Sequence, residues 1–213
     1  MTGKIKLVHS GGNAVSIAVP TSNPSSSEVE FKLPQADGTS GQALVTDASG
    51  NLSFAGTGKL LQVVSTTRTD TFSENVATGS LSADALTVNI TPSNANNKIF
   101  LTAHVSMGLN NDNEVNWVFY KAGSLLTGAA GTAAGNRKPR TSAGDVRWTG
   151  THNTTGGQYL DTAGGTSQIT YSIRLGHSAN GSKYVYMNSS HTDDNYAYDI
   201  RTQSTLTVME VAA

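Results

Sequence analysis

Short runs in which apolar and polar residues alternate recur along the whole chain and predict β-strands. The clearest alternation places Val29, Phe31 and Leu33 between charged residues. Clusters of Gly, Asn, Asp and Ser separate the runs and are typical of tight turns. Within residues 1–57 we expect about five short strands, at residues 4–8, 14–19, 29–33, 42–46 and 51–55.

The chain from residue 58 to 213 carries longer runs and shows no helical periodicity. Asn180-Gly181 lies between two of these runs and is a strong hairpin signal. The pattern predicts an all-β chain with a short-stranded N-terminal region, residues 1–57, and a jelly-roll-like antiparallel β-sandwich, residues 58–213. Gly56-Thr57-Gly58 is interpreted as the hinge between them. In the sandwich we expect strands at residues 59–64, 86–90, 98–106, 115–121, 169–175, 183–188, 196–200 and 204–211.

The segment from residue 122 to 167 gives the weakest pattern in the second region. Its first half consists almost entirely of small or polar residues. A structureless loop of this length is uncommon in a compact domain. We therefore expect short strands near Val146–Thr149 and Gln158–Leu160, and we expect the remainder to project from the sandwich.

The N-terminal region holds too few large apolar residues to form a core of its own. An isolated hairpin of short strands is marginal in water, and a chain of fewer than about 60 residues buries too little surface to fold securely alone. Its turns, such as Asp37-Gly38 and Ser49-Gly50-Asn51, are nevertheless too well specified for a flexible linker. Either this region packs on the C-terminal part as a small subdomain, or other copies of the chain supply the missing surface.

Composition narrows the classes of function. Only 14% of the residues are charged and the net charge is −1, which argues against nonspecific nucleic-acid binding because that requires a surplus of Lys and Arg. No apolar run approaches the roughly 20 residues that span a membrane, so we expect no membrane insertion. The chain contains no cysteine, which excludes disulfides and thiolate chemistry.

No motif in the chain points to catalysis or to a cofactor. The run Asn110–Glu114 is rich in oxygen ligands but lacks the spacing of an EF-hand, and we interpret it as a β-turn. His191–Asp194 is interpreted as a solvated turn, and Gly176–Asn180 as a hairpin turn rather than a nucleophile elbow. We therefore expect a protein that is not an enzyme and that has no catalytic residue, metal site or cofactor.

Side chains suited to recognition concentrate in one part of the second region. They are Arg137, Lys138, Arg140, Arg147, Trp148 and His152. The simpler interpretation is a solvated loop with Trp148 in the core. The alternative is a contact surface, since Arg and aromatic side chains dominate recognition hot spots. The same alternatives, packing or contact with a ligand, hold for Tyr184, Tyr186, Tyr196 and Tyr198.

Four stretches of the chain carry a resemblance to known proteins. Leu33 to Gly56 reads LPQADGTSGQALVTDASGNLSFAG. In the form LPxxDGxxGQxLxTDxxGNLxFxG this stretch resembles a segment of bacteriophage tail-fibre and related virion proteins, especially those of marine and cyanobacterial phages. GKLLQVVSTTRTDTFS, VNITPSNANNKIFLTAHVSMG and the terminal STLTVMEVA are similar to a domain of the same proteins, and this second resemblance spans most of residues 58–213. Such segments occur in fibres, neck appendages and head-attached proteins, so the resemblance implies a virion component.

The resemblance also implies a homotrimer that binds other virion proteins. Residues 1–57 would form its stem or virion-attachment region. The C-terminal sandwich would be a knob that touches a host-surface polysaccharide or protein, as in a tail fibre or similar appendage. In the stem, contacts between chains are expected at Val15, Ile17, Val29, Phe31, Leu44 and Phe54.

Two other functions compete with the tail fibre. A capsid decoration or cement protein would use the same modules to contact shell subunits. The short stem favours this function, because a stem of 57 residues is too short to form a long fibre. A polysaccharide-degrading tail enzyme would need a deep groove lined with carboxylates, usually on a much longer parallel β-helix. No β-helix repeat is visible in the sequence.

Overall fold

The chain forms two compact units, Met1–Thr57 and Gly58–Ala213. The computed structural model describes residues 4–18, 20–22, 24, 28–39, 41–47, 49–56, 60–148, 150–197 and 199–213. Within those ranges every regular element is a β-strand, apart from one 3₁₀ turn at Thr127–Ala129. No helix in these ranges is long and apolar enough to span a membrane.

The first unit contains two antiparallel hairpins. Strand β1 (Lys4–Val8) pairs with β2 (Ala14–Ala18), and β3 (Gln42–Thr46) pairs with β4 (Leu52–Gly56). These four strands confirm four of the five that the alternation predicts. Gly12 adopts a φ of 91° in the turn between β1 and β2, a conformation that glycine reaches without strain.

The turn between β3 and β4 is fixed by the carboxylate of Asp47. Its Oδ1 accepts hydrogen bonds from the backbone N–H of Ser49 at 2.8 Å and of Asn51 at 3.1 Å, and its Oδ2 accepts one from Asn51 Nδ2 at 2.6 Å. The bond from the Asn51 side chain is the main reason why the pKa of Asp47 lies below its usual value. This local network explains why the turn residues of the sequence mark the hairpin so clearly.

The strand predicted at residues 29–33 does not form, so that prediction is wrong. Only Lys32 pairs, in a single parallel bridge with Asn51: the Lys32 N–H donates to Gly50 O at 2.9 Å, and the Leu52 N–H donates to Lys32 O at 2.8 Å. An alternating run becomes a strand only where a neighbouring backbone can pair with it. Within the described residues, 29–31 form no ladder with another strand.

The second unit contains the remaining strands of the described residues. They are β5 (Leu60–Arg68), β6 (Phe72–Val76), β7 (Leu86–Ile90), β8 (Lys98–Leu109), β9 (Asn113–Lys121), β10 (Ser124–Leu125), β11 (Ser142–Val146), β12 (His152–Thr162), β13 (Ile169–His177), β14 (Lys183–Met187) and β15 (Ser204–Val211). All of their pairings are antiparallel.

These strands form two sheets that pack face to face, which confirms the predicted antiparallel β-sandwich. In the first sheet β9 lies between β13, which pairs with β7, and the two short strands β10 and β11; we call it the β9 sheet. In the second, the β8 sheet, β12 pairs with one edge of β8. The other edge of β8 pairs with β15 and β14, which in turn pair with β5 and β6.

The inward faces of both sheets supply one apolar core. Every second residue of β8, from Ile99 to Leu109, is buried there, as are the inward residues of β9 and β13. Trp117 on β9 reaches across the core, where its Nε1–H donates to Thr155 Oγ1 of β12 at 2.8 Å. A Cβ at Gly157 would lie 2.7 Å from the Trp117 ring. Position 157 on β12 must therefore be small, because the large Trp117 side chain of the facing sheet occupies the space beside it.

The segment 122–167 is built into the sandwich, so the expectation that most of it projects is wrong. β12 is 11 residues long and pairs with β8 along its whole length. Leu126 and Ala129 pack against the core, and Thr141 Oγ1 donates to Ala129 O at 2.8 Å. The sequence signal is weak because β12 makes room for side chains of other strands instead of contributing large apolar ones.

The strand predicted at residues 196–200 is also wrong, because this stretch belongs to a long connection between β14 and β15. Fully buried Asn188, at a φ of 67°, anchors the start of the connection. Its Nδ2 donates to Arg68 O and to Asp70 O, each at 2.9 Å, and its Oδ1 accepts from Ser204 Oγ at 2.6 Å. These bonds tie the start of the connection to the end of β5 and to the start of β15.

Candidate interaction surfaces

The β1–β2 hairpin presents an uncovered apolar face. Ile5 pairs with Ile17 across the two strands, and Leu7 pairs with Val15. The exposed fractions are 65% for Ile5, 65% for Leu7 and 69% for Ile17. Removing large apolar side chains from water stabilises a folded protein. This face is therefore a candidate contact between chains.

The other predicted stem residues are exposed as well. Val29 and Phe31 project from the unpaired segment before β3. Leu44 and Phe54 form a cross-strand pair in the β3–β4 hairpin, where the Phe54 ring also covers Gly38. The side chain of Val15 lies outside the described residues. The sequence thus identified an apolar set that the described part of one chain leaves in water.

A row of apolar side chains crosses the outer face of the β8 sheet. Leu160 pairs with Phe100, Phe100 with Met209, and Met209 with Val63. Leu160 and Val63 are exposed, and Phe100 and Met209 are half-buried. We call these four residues the apolar row. Sequence alternation identified their strands, but only the register shows that the four side chains are adjacent.

The apolar row is bordered by an uncharged ladder of hydroxyl groups. Ser65 Oγ and Thr207 Oγ1 lie 2.8 Å apart, and Thr67 Oγ1 and Thr205 Oγ1 lie 3.2 Å apart. Each of these pairs joins β5 to β15 on the same outer face. A face that combines apolar and uncharged hydroxyl side chains can be covered by another protein at low desolvation cost.

The predicted cluster of Arg, Lys, Trp and His residues separates into two sites. Arg147, Trp148 and His152 belong to the connection between β11 and β12 and to the start of β12. Arg147 is exposed and forms an ion pair with Asp145 at 2.9 Å. His152 is half-buried, and its backbone pairs with Gly108 of β8. The interpretation that Trp148 lies in the core is wrong, because its side chain is 74% exposed.

Arg137, Lys138 and Arg140 line a cleft of about 440 Å³ on the outer side of the β9 sheet. We call it the basic cleft. One wall is the turn that contains Gly79, and the other is residues 136–140. Beside the cleft, a Cβ at Gly176 would lie 2.8 Å from Ser80 O. This glycine on β13 lets the Gly79 turn lie close to the sheet.

Arg140 is half-buried and ties the two walls to the sheet. Its Nε donates to Asn116 Oδ1 at 2.6 Å, its Nη1 to Pro139 O at 2.8 Å and its Nη2 to Gly79 O at 3.1 Å. All three acceptors are neutral. Burial lowers the pKa of Arg140 below its usual value, and the nearby Tyr120 and Glu114 oppose that shift. Arg140 is therefore part of the architecture as well as a source of positive charge.

The tyrosines divide between packing and exposure. On the outer face of β14 the rings of Tyr184 and Tyr186 stack with their centroids 6.3 Å apart. Tyr186 Oη lies 2.8 Å from His191 Nδ1, and burial is the main cause that raises the pKa of Tyr186. Tyr196 is exposed in the connection between β14 and β15, and Tyr198 lies outside the described residues.

Comparison with known proteins did not identify a family. No protein-family model matches the chain, and no curated protein matches it. A structure of the Gt strain of infectious bursal disease virus aligns with 95% of this chain and 48% of its own, at 17% identity and a TM-score of 0.35. The VP2 subviral particle of the same virus aligns with 80% of this chain and 42% of its own, at 13% identity and a TM-score of 0.35. The chain thus spans less than half the length of these structures.

Proposed function

We propose that the chain is a non-enzymatic structural protein of a bacteriophage virion. In this proposal it is a homotrimer in which residues 1–57 attach to the particle and residues 58–213 form an outward-facing knob. The resemblance of the stretch Leu33–Gly56 to virion proteins supports the location. The uncovered apolar face of the β1–β2 hairpin is the observation that carries the proposal.

Removing that apolar face from water would favour self-association of the chain. Ile5, Leu7 and Ile17 are all more than half exposed, and removing apolar surface from water contributes about 25 cal/mol for each Å². The β1–β2 hairpin has strands of only five residues, which is marginal by itself. Copies of the chain that place these faces together would stabilise each hairpin. The apolar row of the β8 sheet is assigned to contacts between the same copies.

The positions of the ends of the sandwich support the proposed polarity. β5 begins at Leu60, which pairs with Val211, and Val211 pairs with Lys98 at the start of β8. The basic cleft and Trp148 belong to the opposite end, where β9 begins and β11 ends. The 12 residues of β8 separate these ends by roughly 35–40 Å. The end of the knob farthest from residue 60 is therefore the one that meets the host surface.

The proposed organ is a tail fibre or a similar appendage. Capsid decoration is the second candidate, and the length of the first unit favours it. Each strand of that unit has five residues, which corresponds to about 17 Å. A trimer built on such strands has a short stem. In a decoration protein the same first unit would contact the shell and the knob would still face outward.

Sedimentation of the purified full-length protein tests the trimer. We expect a trimer for the native chain and a shift to monomer for Ile17→Asp, because a carboxylate would enter the contact between copies. Val63→Asp should weaken the trimer by the same physical effect on the apolar row. Lys6→Asp is the matched control, since Lys6 alternates with Ile5 and Leu7 along β1. A native chain that remains monomeric at micromolar concentration would contradict the proposal.

Labelling of intact virions with antibodies against residues 1–57 and against residues 58–213 tests the location. We expect the second antibody to bind intact particles and the first to bind only after dissociation. Label on the tail would favour a fibre, and label on the head would favour decoration. Particles without label, or the reverse order of accessibility, would contradict the proposed attachment.

Release of oligosaccharides from host polysaccharide by the purified protein would overturn the non-enzymatic assignment.

A further inference from the structure

The basic cleft holds a surplus of positive charge. Three cations, Arg137, Lys138 and Arg140, line it together with one carboxylate, that of Glu114. Ion pairs occupy several other cations of the second unit, including Arg68, Lys121, Arg147, Arg174 and Arg201. Among the described residues none of the three cleft cations forms an ion pair. Their charge is therefore available to an anionic ligand.

Among the three cations, Arg140 gains most from an anionic ligand, because its guanidinium is partly removed from water. The guanidinium is half-buried and bonded to neutral oxygens only. Of its five N–H groups, two have no acceptor in the part of the chain that the structure describes. A partly buried cation that forms no ion pair gains more from an approaching anion than an exposed one does, because water screens the interaction less.

Arg137 and Lys138 are the adaptable part of the cleft. Both side chains are exposed, and the Lys138 stem lies against Gly79, with Lys138 Cε 3.5 Å from the position of a Cβ there. The backbone that carries them is held by a hydrogen bond from the Arg137 N–H to Ala134 O at 3.1 Å. Their charged groups can thus move toward a ligand without disturbing the fold.

The remaining walls indicate what kind of anion fits. Thr78 and Ser178 line the cleft with hydroxyls that already donate to Ala179 O and Asn113 Oδ1 but can accept from a ligand. Asn136 adds an amide, which can donate and accept. The volume of about 440 Å³ lies within the range of about 300–1,000 Å³ typical of small-ligand sites. A net charge of −1 for the whole chain disfavours a long polyphosphate such as RNA, whose binding needs an extended basic surface.

We infer that the basic cleft binds an acidic saccharide, with the sugar carboxylate at Arg140, Arg137 and Lys138 and the sugar hydroxyls at the polar walls. This inference rests on the proposed function, in which the far end of the knob meets a host-surface polysaccharide. Arg is suited to a carboxylate because its planar fork of N–H groups matches the two oxygens. The polar walls provide the hydrogen bonds that a bare inorganic anion would not use.

Calorimetric titration of the full-length protein tests the inference. The probes are an oligogalacturonate, a neutral galactose oligomer of the same length, inorganic phosphate and a short single-stranded RNA. We expect the oligogalacturonate to bind at least about tenfold more tightly than the other three, because charge-assisted hydrogen bonds are the stronger ones. Its binding should weaken as the salt concentration rises.

The double variant Arg137→Ser/Lys138→Ser should lower the affinity for the oligogalacturonate by about tenfold or more. Arg147→Ser is the matched control, because Arg147 is an exposed cation outside the cleft. The affinity of this variant for the oligogalacturonate should equal that of the native chain. Arg140→Gln is less useful, since Arg140 also holds Asn116 and Gly79 in place.

Four results would overturn the inference: no binding of the oligogalacturonate, equal binding of the neutral oligomer, phosphate or RNA binding as tight as that of the oligogalacturonate, or equal losses in the double variant and in Arg147→Ser. The proposed virion role is judged separately, by sedimentation and by particle labelling. A trimer that labels virions but binds no acidic saccharide would reject only the assignment of the cleft.

Discussion

Replacing Glu210 by Gln should lower the free energy of unfolding at pH 7 by about 3 kcal/mol. The Glu210 side chain on β15 is fully buried. Its Oε1 accepts from the Ser93 N–H at 2.7 Å, from Ser93 Oγ at 2.7 Å and from Asn97 Nδ2 at 2.6 Å, and its Oε2 accepts from Gln62 Nε2 at 2.6 Å. A glutamine amide would direct N–H groups at donors and leave them unsatisfied.

The pH dependence follows from the same contacts. Burial by itself would raise the pKa of Glu210, but hydrogen bonds from Asn97, Gln62 and Ser93 outweigh it and lower the pKa from 4.5 to about 2. Because the folded state has the lower pKa, this carboxylate stabilises the fold fully above about pH 4.5. The contribution is lost as the pH falls from about 4.5 to about 2.

Chemical denaturation at a series of pH values measures this effect. We expect the native chain to lose stability over that window and Glu210→Gln to lose correspondingly less. Glu114→Gln is the matched control, since Glu114 is exposed on β9, and it should change the stability by less than about 0.5 kcal/mol. Equal pH profiles for the native chain and Glu210→Gln would contradict the assigned role of Glu210.

Trp117→Ala should destabilise the protein by about 3–5 kcal/mol, whereas Trp148→Ala should change its stability by less than about 0.5 kcal/mol. Trp117 is fully buried, packs edge-on against Phe119 at 4.9 Å between ring centroids and donates to Thr155. Its removal would leave a large cavity and an unpaired hydroxyl. Trp148 is 74% exposed, so little packing is lost with it.

Denaturant unfolding and tryptophan fluorescence together separate the two positions, because the chain contains only these two tryptophans. In Trp148→Ala the remaining Trp117 should emit at short wavelength, as buried indoles do. In Trp117→Ala the remaining Trp148 should emit at the long wavelength of an indole in water. Comparable losses of stability in the two variants would contradict the placement of Trp148 on the surface.

The sequence allowed the β-sandwich to be predicted because its alternating strands carry their own signal. In β8 and β13 most inward residues are apolar and most outward ones are polar, so a period of two is visible without any partner. Gly50 marks the β3–β4 hairpin for the same local reason. The hairpin predicted at Asn180-Gly181 is wrong, because β13 and β14 on either side of this turn belong to different sheets. The candidate residues of the basic cleft were also found from sequence, because charge is concentrated between residues 137 and 140.

The errors arose where another part of the chain decides the structure. Alternation at residues 29–33 and 196–200 predicted strands, but the described residues provide no continuous neighbouring strand for either run. β12 was predicted as a short strand only, because Gly157 leaves space for Trp117 of the other sheet. Sequence pattern describes which side a residue faces, whereas pairing and space depend on what lies opposite.

By itself the sequence determined the strand-rich character of both units, the hairpin turns of the first unit and the set of apolar residues that need covering there. Only the tertiary structure decided which tryptophan fills the core, that Leu160, Phe100, Met209 and Val63 form one row, and that Arg140 shares a cleft with Arg137 and Lys138 but not with Arg147. The physical reason is that periodicity and turn preference act between neighbours in the chain. Register, burial and uncompensated charge depend on residues far apart in sequence that folding brings together.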